Sequence, residues 1–108
     1  MPHDPALAER MRVALKQRKR IAEKKMFGGY CWMLNGNMLC GVEVGRYMFR
    51  VGKELEAEAL KRPGAKPMDI TGKPMLGFVW VDARHADGQS LHDWIELAAR
   101  YVGALPAK

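Results

Sequence analysis

The sequence predicts an α+β domain with its elements in the order α-β-β-β-α-β-β-α. Three observations carry this. Asn35-Gly36 and Gly45-Arg46 interrupt an apolar run and mark a three-stranded antiparallel meander. The stretch MLGFVWV, at residues 75–81, is almost continuously apolar, as a buried strand is. Apolar residues recur at helical spacing at both ends of the chain and again in KELEAEALK. A length of 108 residues suggests a single domain over 1–108 with one modest core.

The first helix is expected to begin at Asp4-Pro5. Asp accepts hydrogen bonds from first-turn amides, and Pro fits the first helical position. Leu7, Met11, Ala14 and Leu15 form its apolar stripe, and it should fade around Arg18 to Arg20. Next comes KKMFGGYCWMLNGNMLCGV, residues 24–42. Asn and Gly tolerate the positive φ of a type I′ turn, so Asn35-Gly36 sets a register. Leu34 should face Asn37, Met33 Met38, Trp32 Leu39, and Cys31 Cys40. With Gly45-Arg46 as a type II′ turn, Val44 should face Tyr47, Val42 Phe49, and Gly41 Arg50. Gly28-Gly29, just before the first strand, suggests a bulge or close packing.

Period-two alternation sorts this meander into two faces. One carries Phe27, Cys31, Met33, Met38, Cys40, Val42, Val44, Tyr47, Phe49 and Val51, and is expected to meet the helices. The other carries Tyr30, Trp32, Leu34, Asn37, Leu39, Glu43, Arg46, Met48 and Arg50. It mixes large apolar groups with Arg, which suits an interaction surface. Tyr30, Trp32, Leu34, Leu39, Met48 and Arg50 are the candidate contact residues, and a second copy of the chain is the simplest occupant. The alternative is that other elements cover this face within the monomer.

The second helix is KELEAEALK, residues 53–61, buried through Leu55, Ala59 and Leu60 and ended by Pro63-Gly64. KPMDI and MLGFVWV follow as extended segments joined by Thr71-Gly72-Lys73-Pro74. The third helix is expected to start near Ser90, with Ser90 and Asp93 in a capping-box pattern. Leu91, Trp94, Ile95, Ala98, Tyr101, Val102 and Leu105 line its apolar side.

Several kinds of chemistry lack their pattern. Cys31 and Cys40 are nine apart rather than in a metal-clip pair, and His3, His85 and His92 are scattered. GAKPMDITGKP is not a phosphate loop, because seven residues separate Gly64 from Gly72 and Pro74 stands where Ser or Thr would hold magnesium. Opposite each other on paired strands, Cys31 and Cys40 would be within reach of a strained disulfide, or else two small hydrophobes. No apolar segment reaches the roughly 20 residues that span a bilayer, and no signal peptide opens the chain, so the expected location is the cytoplasm.

The net charge is +6, unevenly placed. Residues 1–25 hold eight Lys and Arg against three Asp and Glu. Arg10, Arg12, Lys16, Arg18, Lys19, Arg20, Lys24 and Lys25 are therefore candidate contacts for nucleic acid. The other reading is a solvated helix face and the loop after it.

The chain also resembles a known family. Lys25-Met26-Phe27-Gly28-Gly29, then Asn35-Gly36, then Arg50-Val51, with RPGAKPMDITGKPMLGFVWV and a closing helix bearing Trp94, is similar to the N-terminal domain of the TfoX/Sxy family. The resemblance spans nearly the whole chain. It implies a two-layer α+β fold like that of secretion chaperones, with no cofactor and no catalysis. Two-domain members are regulators of natural competence that help the cyclic-AMP receptor protein activate transcription. The family supplies no established functional residues to carry over. The expectation is a non-enzymatic, homodimeric interaction domain, regulatory in transcription, with nucleic-acid binding through the basic segment as the alternative.

Overall fold

In a computed structural model, the first helix, α1, spans Pro5–Leu15 and buries Leu7, Ala8, Met11 and Leu15. The structure describes residues 5–16, 18–26, 29–70 and 72–107, with backbone alone for 26, 69, 70 and 73–75. The caps expected at Asp4 and the core position expected for Phe27 lie outside these residues. Six strands follow: β1 Ile21–Met26, β2 Gly29–Leu34, β3 Asn37–Glu43, β4 Arg46–Arg50, β5 Ala65–Ile70 and β6 Lys73–Asp82. Helix α2, Lys53–Ala59, lies between β4 and β5, and α3, Gln89–Val102, closes the chain after a short 3-10 turn at Ala83–His85. The strands form one antiparallel sheet in the order β1-β2-β3-β4-β6-β5. The α+β class holds, with one strand more than the sequence suggested.

That strand is β1. Its sequence, IAEKKM, shows charge rather than alternation, because β1 is an edge strand paired only with β2. Lysines on an edge discourage further strand pairing.

The turn at Asn35-Gly36 forms as expected, with φ of 55° and 82°. Gly36→Val places a β-branched residue at that positive φ. It should cost on the order of 1–3 kcal/mol in urea unfolding; an unchanged midpoint would mean that this turn does not govern the hairpin.

Two residues beyond the turn, the expected register fails. Met33 pairs with Met38, but Trp32 pairs with Cys40 and Cys31 with Gly41. Leu39 is the extra residue of a β-bulge. Leu39 and Cys40, though adjacent, both belong to the core. The bulge therefore inverts the expected faces N-terminal to it and leaves those C-terminal to it as expected. Trp32, Leu34 and Leu39 turn inward, while Cys31, Met33 and Met38 lie on the opposite side. The second hairpin turns at Val44-Gly45, pairing Glu43 with Arg46 and Val42 with Tyr47. Val44 is thus 59% exposed rather than in the core.

The core is one cluster between sheet and helices. Trp32, Leu34, Leu39, Val42, Tyr47, Phe49, Val51, Val79 and Val81 meet Met11 of α1, Ala59 of α2, and Trp94, Ile95 and Val102 of α3. All three helices therefore pack on one side of the sheet. The rings of Phe49 and Trp94 stack, with centroids 5.4 Å apart. α2 ends at Ala59, near its expected end. The capping box at Ser90 does not form: Ser90 lies inside α3, Gly88 is the N-cap without a side-chain bond, and Asp93 accepts from Gln89 Nε2 at 2.9 Å.

Candidate interaction surface

The sheet face away from the helices is built by the strand register. β2 contributes Cys31 and Met33, and β3 contributes Met38, Gly41 and Glu43. β4 contributes Arg46, Met48 and Arg50, set beside Asp82, Trp80 and Phe78 of β6. A Cβ on Gly41 would stand 3.3 Å from both Cys31 Sγ and Met48 Cε. The missing side chain is the slot into which these two groups settle; both are buried, and neither belongs to the core cluster that the described helix residues join. Met33, Met38, Phe78 and Trp80 are half-buried around them. The Arg46 guanidinium lies 3.6 Å from the centroid of Trp80 and pairs with Glu43 Oε1 at 2.7 Å. Arg suits both contacts, because its planar cation stacks on a ring face while its edge binds a carboxylate.

The two thiols lie on opposite faces of the sheet. Cys31 faces Gly41 from the uncovered side, and Cys40 sits in the core with its Sγ 3.7 Å from Met11 Sδ. The strand-opposed pair expected for a disulfide is therefore not formed, and both cysteines are free thiols. Burial pushes the pKa of each thiol upward, that of Cys40 most strongly.

The chain matches the family model of the TfoX N-terminal domain over residues 14–101. It belongs to that family. No curated protein and no solved structure matches it.

In this TfoX N-terminal domain the six candidate contact residues divide between the two faces. Trp32, Leu34 and Leu39 are in the core, with Trp32 only 2% exposed. Tyr30 is half-buried on the helix side, where Arg12 lies 5.3 Å from its ring centroid. The reason is again the bulge at Leu39. Met48 stays on the uncovered face, while Arg50, at the end of β4, brings its guanidinium to within 5.7 Å of the centroid of the Tyr101 ring of α3. Sequence reasoning missed Trp80, Phe78 and Met33 as members of it. The signal was present in the apolar run of residues 75–81, which the buried-strand reading absorbed.

The basic segment is divided as well. Arg10 pairs with Asp87 at 3.2 Å and donates to the Ala86 carbonyl. Arg12 grips both carboxylate oxygens of Glu23, at 2.7 and 3.0 Å, and bonds Glu9. That grip holds the Glu23 carboxyl below the usual carboxylate range, and Trp32 Nε1 adds a donor at 3.2 Å. Arg18 bonds Glu96. Lys16, Lys19 and Arg20 form no ion pair among the described residues and are exposed between α1 and β1. Lys24 and Lys25 are neighbours on β1 and so belong to opposite faces. The eight cations form no continuous stripe.

Proposed function

We propose that this TfoX N-terminal domain is a non-enzymatic regulatory module in transcription that works in the cytoplasm through protein contact. The observation that carries the reading is the uncovered sheet face, where Met33, Met38, Phe78 and Trp80 stay partly open beside Arg46. Met adapts to a partner surface, and Trp and Arg are the residues that anchor interfaces. Family membership supports the regulatory part. No described helix is long and apolar enough to cross a membrane.

The occupant of the face is a second copy of the chain. Glu43, Arg46 and Asp82 place both charge signs on neighbouring strands, so a twofold axis can bring each sign against its opposite. Light scattering on a sizing column tests this. The parent should run as a dimer, and Trp80→Glu as a folded monomer by circular dichroism. A parent that stays monomeric across a concentration series would overturn the dimer.

A second reading, nucleic-acid binding, draws on Lys16, Lys19 and Arg20, which have no ion-pair partner among the described residues. Such binding would weaken steeply with salt and show little base preference.

A further inference from the structure

At the end of the sheet, β6 leaves its ladder. Asp69 pairs with Pro74 and Pro67 with Val79, so residues 75–78 stand opposite Met68 alone. Beside this detour lies a half-open cavity of about 630 Å³, between the end of β4, the start of α2 and the end of α3. Its size is that of a small-molecule site.

We propose that this cavity binds a small organic anion: a carboxylate or phosphate carried on a planar ring. Charge is the first argument. Arg50, Lys53 and Arg100 line the cavity against one acid, Glu54, among its described lining residues, and the carboxylate of nearby Glu56 is taken up by Gly77 N. None of the three cations has an ion-pair partner among the described residues, whereas Arg10, Arg12, Arg18, Arg46 and Arg84 all do. A half-buried Arg without a carboxylate keeps its fork of donors for an anion.

Ring geometry is the second. The Arg50 guanidinium sits 5.6 Å from the centroid of Phe78 and 5.7 Å from that of Tyr101. Those rings, with Leu55, Leu76 and Leu105, give the cavity an apolar wall beside its cations. Leu76 is 58% exposed, which suits a residue whose apolar partner is a ligand.

Rigidity is the third. The Gly77 carbonyl accepts from both Val51 N and Gly52 N, at 2.8 and 3.0 Å, and Gly77 N donates to the Glu56 carboxylate. Gly52 and Gly77 both have positive φ, and a Cβ on Gly77 would come within 3.3 Å of the Gly52 backbone. The floor is thus a fixed backbone contact, so little ordering cost falls on binding.

The test is an amide NMR titration of the full chain with three probes: AMP, benzoate and inorganic phosphate. AMP or benzoate should give saturable shifts at Gly52, Gly77 and Tyr101. AMP alone would assign the anion as phosphate, benzoate alone as carboxylate. Arg50→Ala should weaken binding by about tenfold or more. Arg100→Ala, at an exposed helix position, should weaken it without touching the fold, and Arg84→Ala should leave it unchanged. Three results would overturn the proposal: neither ring-bearing probe saturates, inorganic phosphate binds as tightly as they do, or both Arg50→Ala and Arg100→Ala bind like the parent.

Discussion

Trp32→Ala should destabilise the fold by about 3–5 kcal/mol, the range for emptying an aromatic position in a packed core. Trp32 is not a surface residue here. It pairs with Cys40 on one side and Glu23 on the other, and packs in the cluster that also holds Leu39 and Met11. Its indole N–H helps to fix Glu23, the carboxylate through which α1 is tied to β1 by Arg12. The substitution therefore removes core volume and loosens the attachment of an edge strand together. Urea unfolding, compared with Trp80→Ala on the half-buried face, is the measurement. If the two variants lost the same small amount of stability, Trp32 would not be a core residue, and the bulge at Leu39 would have to be abandoned.

Gly52→Ala is expected to be the second large effect, on the order of 3 kcal/mol from backbone strain and ring collision together. Gly52 has φ 86° and ψ 155°, a conformation close to exclusive to glycine. An added Cβ would lie 2.5 Å from the Tyr101 ring, which α3 and the Arg50 contact hold in place. In a domain this size such a loss should lower Tm by more than about 10 °C. Gly45→Ala is the control, with φ 76° and nothing within 4 Å of the new atom, so it reports strain alone. Gly52→Ala in a Tyr101→Ala background should recover part of the difference. Equal losses at Gly45 and Gly52 would show that the ring is free to move.

What the sequence made legible was local. Asn35-Gly36 could be placed because positive φ is a property of those two residues, and the stripe of α3 because 3.6-residue spacing survives in any context. The bulge was not legible, because both Leu39 and Cys40 are apolar and either could have pointed inward. One residue of slip was enough to misplace Trp32, Leu34, Cys31 and Met33 and to pair two cysteines that lie on opposite faces. β1 was hidden for the opposite reason: its lysines answer to an edge, and an edge exists only once the sheet is assembled. The cavity was beyond reading, since Arg50, Phe78 and Tyr101 are brought together only by the tertiary fold.

The strand order also carries a kinetic consequence. Strands β1 to β4 pair in sequence, and β5 pairs with β6; the single out-of-sequence pairing among the described strands is β4 with β6. Two locally closed pieces therefore meet at one seam, and loop-closure entropy falls mainly on that seam. A chain cut in the exposed turn at Lys61 would leave each piece with its own hairpins intact. The two fragments should then find each other through the row of backbone bonds from Arg46–Asp82 to Arg50–Phe78. The domain is, in assembly terms, a ready-made pair of complementing halves.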